Sequence, residues 1–316
     1  MSYTKQYIDD ISDQTGFIAN NIEKTLRLID VLIYIFTKST FKDALSLKGG
    51  TAINLIYTNL KRLSIDIDLD YHRYLDKYKA SEDRKIIVSE LDEYMEKEGY
   101  KISNKSRENA ILTSRTYSYV TASGSNDSIK LDINFIDRIS LYPTVTTSIN
   151  YFGKSVDIIA ASKEELYGMK LSALINRSKA RDLYDANYLF TNINDIDEKT
   201  LKKCLIFYLS LDGMYEINKI DYKSIRDIKF IAVRKELNPV LKRGEQFDLK
   251  NVQEKIIEKL IHFLTLDENE KLYLLEFSKG NYVSSLLFDE EVANRAINHP
   301  MAKWRILNIN KRFMKS

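Results

Sequence analysis

The chain has 316 residues, 44% of them hydrophobic and 29% charged, with 48 Lys and Arg against 45 Asp and Glu. That length suits two domains or one large one with an ordinary globular core. The formal charge of +3 means that any polynucleotide partner would need a local basic face, since bulk charge would not hold it. Only 3 Pro and 10 Gly argue against long disordered linkers and for a helix-rich structure. The single cysteine, Cys204, excludes an intrachain disulfide and predicts a reducing, cytoplasmic setting. It lies in the apolar run LKKCLIFYLSL and reads as a core residue. No apolar run reaches the length of a membrane span. The opening MSYTKQYIDDISDQ has acids where a signal peptide needs an uninterrupted apolar stretch, so no membrane association is expected.

In chain order, residues 5–39 read as helices, with Ile18, Ile22, Leu26, Ile29, Ile33 and Phe36 forming an amphipathic stripe. Leu45–Leu47 is a short apolar entry to Gly49 and Gly50. Ala52–Leu60 reads as a helix that Thr51 can cap. Leu63–Leu69 alternates and reads as a strand. Arg84–Glu98 is a helix ended by Gly99. Strands are expected at Tyr100–Ser103, Ala110–Ala122, Ile129–Ile136, Thr144–Ile149 and Val156–Ala160. After Ser162 the strand patterns stop. Ser162 with Glu165 forms a capping box opening a helix to about Asn176. Helices follow at Ala180–Phe190, Lys199–Leu211, Val252–Leu266, Glu268–Phe277 and Glu290–Ile297. The expected division is an α/β domain over 1–161, with N-terminal helices, and a helical domain over 162–316.

The stretch LKGGTAINLIYTNLKRLSIDIDLDY, residues 47–71, carries the chemistry. Asp66 and Asp68 are two apart on a strand, so their side chains point to one face. At ~4 Å and an effective dielectric near 20 their repulsion costs about 4 kcal/mol, so one takes a proton or a cation sits between them. A hard divalent ion such as Mg²⁺ takes oxygen ligands and shares them with substrate phosphates. Gly49 and Gly50 let the backbone approach a ligand, and the N–H groups opening the next helix favour an anion there. Taken singly, Gly-Gly-Thr also describes a turn with an N-cap, and alternating acids also describe a half-buried strand. Their order and closeness make a phosphate cradle beside a carboxylate pair.

LKGGTAINLIY followed by LSIDIDLD resembles the nucleotidyltransferase AbiEii/AbiGii toxin family, a branch of the polymerase-β-like nucleotidyltransferase superfamily. The signature is a Gly-Gly-Thr/Ser turn, a helix and Ser-x-Asp-x-Asp-Leu. It falls here on Gly49, Gly50, Thr51, Ser64, Asp66 and Asp68. Leu63 stands where members often have Phe, a swap that is conservative for packing. The resemblance implies an α+β fold: a polymerase-β-like domain, with a mixed sheet flanked by helices, followed by a helical C-terminal domain. It also implies a third acid from a neighbouring strand. Asp132 in KLDINF is the best placed, with Asp137 an alternative and a solvated strand acid the plain reading.

A second stretch, LYGMKLSALINRSKARDLYDANYL, looks like the family's later motif and points to Lys170, Arg177, Lys179, Arg181, Asp182 and Asp185. Lys170 would meet the triphosphate or the leaving pyrophosphate. Arg181 and Asp185 share a helix face and could pair, and Asp185 could orient Lys170 or meet a hydroxyl or a metal-bound water; an inter-domain salt bridge is the structural alternative for Arg181 and Asp182. The implied catalytic set is Asp66, Asp68, Lys170 and Asp185. Gly49, Gly50, Thr51, Ser64 and Arg181 would bind nucleotide. Asp66, Asp68 and Asp132 would hold Mg²⁺ or Mn²⁺. His72, His262 and His299 are scattered, and no His/Cys cluster has zinc spacing. The basic tail MAKWRILNINKRFMKS, with Lys303, Trp304, Arg305, Lys311, Arg312, Phe313 and Lys315, fits RNA contact or a helix packing through its apolar residues.

The resemblance implies the toxin of a bacterial toxin–antitoxin pair linked to phage abortive infection. It would move a nucleoside monophosphate from an NTP to an acceptor resembling the 3′ end of tRNA. Its antitoxin would be a winged-helix protein from the same operon, acting with or without stable contact. Two further readings stay open: a protein-modifying transferase of the adenylylation type, and a non-catalytic nucleotide- or RNA-binding module.

Overall fold

The computed structural model describes residues 2–73 and 76–313. They form two compact units. The first is Met1–Arg138, Thr144–Ala161 and Asn238–Glu245; the second is Ile139–Pro143, Ser162–Leu237 and Gln246–Ser316.

The first unit is built on one mixed sheet. Its strands are β1 (Leu45–Lys48), β2 (Asp66–Tyr71), β3 (Lys101–Ile102), β4 (Arg107–Glu108), β5 (Leu112–Val120), β6 (Asn126–Asn134), β7 (Val145–Tyr151) and β8 (Lys154–Ala160). Their spatial order is β3-β5-β6-β2-β1-β8-β7, with β4 also paired to β5. The pairs β2/β6 and β1/β8 are parallel and the others antiparallel. Ile67, Leu69 and Tyr71 of β2, with Ile129, Leu131 and Ile133 of β6, are buried on one face. That face receives α2 (Ala19–Thr37) and α4 (Lys77–Lys97): Tyr71 Oη donates to Asp83 at 2.7 Å and Tyr117 Oη to Asp92 at 2.6 Å. Of the predicted stripe on α2, Ile22, Leu26, Ile29 and Phe36 are buried, whereas Ile18 is an exposed N-cap position. A shorter α1 (Lys5–Thr15) precedes α2 and ends at Gly16, which has φ +80°. Residues 238–245 return to this unit: the Leu63 N–H donates to Val240 O and the Arg243 N–H to Gly16 O, each at 2.8 Å.

Two local expectations are corrected. The helix after the glycines begins at Gly49, not Ala52. It runs as α3 (Gly49–Ala52) into a π-turn at Ile53–Tyr57, and the chain then turns left-handed at Asn59 and Leu60. Thr51 therefore lies inside the helix. The N-cap position is Lys48, which makes no side-chain cap bond, and Thr51 cannot cap a helix already begun. The helix expected from Arg84 starts earlier, at Lys77, because Asp76 accepts from the N–H groups of Tyr78 and Lys79.

The second unit is helical: α5 (Lys163–Asn176), α6 (Ala180–Asn192), α7 (Glu198–Asp212), the short turns α8 (Lys223–Arg226) and α9 (Phe230–Ala232), α10 (Leu249–Phe263), α11 (Glu268–Ser278), α12 (Glu290–Ala296) and α13 (Pro300–Phe313). Gly168 lets α5 cross α7 closely, since a Cβ there would lie 2.6 Å from Cys204 Cβ. Cys204 is fully buried, and burial pushes its thiol well up. Trp304 and Leu307 on α13 are exposed, while Arg305 Nε donates to Leu211 O at 2.7 Å. Lys315 of the basic tail lies outside the described residues, as do the side chains of Arg312 and Phe313. Among the described residues no helix is long and apolar enough to cross a membrane.

Only half of the expected capping box forms. Ser162 Oγ accepts from the Glu165 N–H, but the Glu165 carboxylate accepts elsewhere. Its partners are the N–H groups of Leu141 (2.9 Å) and Tyr142 (3.2 Å) and the Tyr208 hydroxyl (2.7 Å). Glu165 is 1% exposed, and burial raises its carboxyl above the usual range. These bonds tie residues 139–143 into the helical unit. Glu165→Ala strands one buried donor, at about 1–3 kcal/mol, and two part-buried ones that cost less, so urea unfolding should show a loss of roughly 2–4 kcal/mol.

Candidate active site

The alternation on β2 has a physical outcome. Asp66, Asp68 and Asp70 are partly buried on the face opposite the fully buried Ile67, Leu69 and Tyr71. Strand register then builds a row across the sheet. Lys48 of β1 stands opposite Asp68, Asp132 of β6 stands opposite Asp68 on its other side, and Ser114 of β5 stands opposite Asp132. One step along, Asp66 is opposite Lys130; one step the other way, Asp70 lies between Ser46 and Asn134.

Gly49 makes the seat for Asp68. Its φ is +69°, and a Cβ there would overlap Asp68 Oδ2 and lie 3.2 Å from Asp68 Cβ. The position thus requires glycine for both its left-handed backbone and its close approach. Thr51 and Ser64 are buried. Thr51 Oγ1 donates to the Asp66 carbonyl and is hydrogen-bonded to Ser64 Oγ at 2.8 Å, which fixes the helix start to the strand start. The buried Asn54 donates from Nδ2 to Gly50 O at 2.8 Å and braces the same turn.

Charge is balanced within the row. Lys48 Nζ pairs with Asp70 Oδ1 at 2.5 Å. Burial alone would pull the Lys48 ammonium down, but Asp70, Asp137 and Asp68 together raise it. The Asp68 carboxyl is pushed up, first by burial and then by Asp132 and Asp66, with Lys48 pulling the other way. Asp132 Oδ1 accepts from Ser114 Oγ at 2.6 Å and Oδ2 from Lys130 Nζ at 2.5 Å. Asp137, the alternative third acid, accepts at Oδ2 from Asn134 Nδ2 at 2.7 Å; its Oδ1 is buried with no hydrogen-bond partner among the described residues. His72 follows β2, and burial holds its imidazole below the ordinary value.

In the second unit, α5 and α6 bring the later motif together. Lys170 Nζ lies 2.9 Å from Asp182 Oδ1 and 3.1 Å from Asp185 Oδ2, and all three residues are buried. Arg177 Nε meets Asp182 Oδ2 at 2.8 Å. Burial would raise the Asp182 carboxyl, but Lys170 and Arg177 outweigh it and hold it at about 2. Asp182 and Asp185 are three apart on α6 and so share the face that meets Lys170. Arg181 is half-exposed in the first turn of α6, and Lys179 pairs with Glu236 at 3.2 Å.

The family described as nucleotidyl transferase AbiEii toxin, type IV toxin–antitoxin system, matches residues 31–270. The chain belongs to this AbiEii family. No curated protein matches it. Among solved structures it is similar in fold to MenT4, a nucleotidyltransferase toxin from Mycobacterium tuberculosis H37Rv. The TM-score is 0.61 at 15% identity, over 94% of this chain and 99% of that one. The AbiEii match spans both side-chain groups, the sheet face of the first unit and the Lys170 cluster of the second.

Lys48, Asp70, Lys130 and Ser114 lie on this acidic face without having been expected there from the sequence. For Asp70 the signal was present, since the acid alternation simply continues one step. Lysines beside acids read as solvated, and only register shows otherwise. The acidic face fits a divalent cation: Asp68 is pushed up by burial and then by Asp132 and Asp66 beside it, and Asp137 has an orphaned oxygen. Among the described residues no three acidic, His or Cys side chains already converge as a cage.

Gly49→Ala should cost about 2 kcal/mol or more through its left-handed backbone and its overlap with Asp68, read as a lower unfolding midpoint. A depressed folded-state carboxyl stabilises above the unfolded value near 4 and loses that stabilisation as pH falls towards about 2. The stability gap between the wild type and Asp182→Asn should therefore narrow by on the order of 2 kcal/mol from pH 5 to pH 2 in denaturant titrations.

Proposed function

We propose that this protein is a toxin that transfers a nucleoside monophosphate from an NTP to an acceptor hydroxyl, releasing pyrophosphate. The acceptor we assign is the 3′ end of tRNA, so that modification blocks translation. The setting is the bacterial cytoplasm, in a phage abortive-infection system. A winged-helix antitoxin from the same operon controls it. The observation that carries the reading is Asp68 pressed on Gly49, in register with Asp132 and on one face with Asp66.

Asp66 and Asp68 would hold Mg²⁺ or Mn²⁺, with Asp132 as a third oxygen donor. When bound, the ion supplies Lewis-acid neutralisation of triphosphate charge. Gly49, Gly50 and Thr51 present first-turn N–H groups to the β and γ phosphates. The Thr51 and Ser64 hydroxyls, already bonded to each other, keep that turn in place. In the second unit, Asp182 and Asp185 fix the Lys170 ammonium. The acceptor hydroxyl attacks the α phosphorus in line and the pyrophosphate leaves.

Incubation with total RNA and each labelled NTP in turn should label a tRNA-sized band with one preferred nucleotide. Asp66→Ala should lower transfer by at least ~100-fold and relieve growth inhibition without lowering the unfolding temperature. Full activity in that variant, or transfer indifferent to chelation of divalent ions, would refute the reading. Label on a protein band would reassign the acceptor.

A further inference from the structure

Asp132 stands opposite Asp68, yet both of its oxygens are engaged. Ser114 Oγ donates to Oδ1 at 2.6 Å, and Lys130 Nζ meets Oδ2 at 2.5 Å. The two partners differ in kind. Ser114 is in direct register on β5, part of the sheet, and a hydroxyl orients a carboxylate without neutralising it. Lys130 lies two residues before Asp132 on the same face and opposite Asp66. Its side chain is 49% exposed against 18% for Asp132, and its ammonium ends a flexible four-carbon stem. An ammonium on Asp132 Oδ2 repels a hard divalent ion and competes with it for that oxygen.

We propose that Lys130 is a displaceable counter-cation. It covers Asp132 Oδ2 while the acidic face holds no metal and swings off when a divalent ion takes that oxygen, with Ser114 keeping the carboxylate aimed. Lys130 is thus a positioning residue that makes Asp132 a conditional ligand. This rests on the metal-dependent reading above. The exposed stem lets the ammonium leave into water at little cost, whereas Lys48, 20% exposed and paired with Asp70, stays in place.

The test is Mn²⁺ titration of the full chain without nucleotide, with free Mn²⁺ followed by electron paramagnetic resonance. Lys130→Met should tighten Mn²⁺ binding by roughly threefold, the worth of one half-exposed ion pair. The gain should vanish in the Asp132→Asn background, because the competition is for that carboxylate. An equal gain in that background would mean a general field effect and overturn the proposal, as would unchanged or weaker binding by Lys130→Met. If Asp68→Asn weakens Mn²⁺ binding while Lys130→Met leaves it unchanged, the role of Lys130 falls and the metal site stands. If Asp68→Asn and the wild type bind Mn²⁺ alike, the metal reading fails and this inference fails with it.

Discussion

A carboxylate resting on a glycine backbone sets the geometry of the first unit's polar face. Asp68 occupies the space a side chain at position 49 would take, and Gly49 must be left-handed to offer it. That contact needs β1 and β2 antiparallel with Lys48 opposite Asp68, and a helix starting at once after β1. Thr51 and Ser64 supply the remaining constraint, because their buried hydroxyls join the helix start to the strand start. Loss of any one of these would move the carboxylates relative to the first-turn N–H groups.

The same face carries a concentrated negative charge that folding has to tolerate. Four carboxylates on β2 and β6, with Asp137 close by, are offset by Lys48 and Lys130. Partial burial makes such pairs count for more than surface ion pairs, since removing one partner leaves a desolvated charge. The AbiEii-type motif in the second unit follows the same rule. Lys170 sits between two buried acids, and Arg177 supplies the second positive charge. Glu165 solves the problem another way, by accepting two backbone N–H groups and a tyrosine hydroxyl.

Much of this was legible from residue order. The acids at 66 and 68 share a face because a strand repeats every two residues, and all five strands expected beyond position 99 are present with shifted ends. The failures have local causes. Thr51 after two glycines looks like a cap, but the helix had already begun at Gly49, so its hydroxyl turned to the Asp66 carbonyl. Glu165 three residues after Ser162 looks like a capping box, but more distant donors outcompeted the local one. The two-residue β4 and the short turns between Ile217 and Val240 are too brief to show a period.

The sequence by itself determined the chemistry: which residue types stand beside a glycine turn, and that Asp66 and Asp68 face one way. Those follow from backbone periodicity and from the freedom of glycine, both local properties. The tertiary structure alone decided which lysines belong to the site. Lys48 reaches the acids only through strand register, which brings together residues up to 84 positions apart along the row from Lys48 to Asp132, and register also sets Lys130, two residues before Asp132, opposite Asp66. Register is set by the buried faces of Ile67, Leu69, Leu131 and Ile133, because a one-residue slip would turn those side chains out of the core.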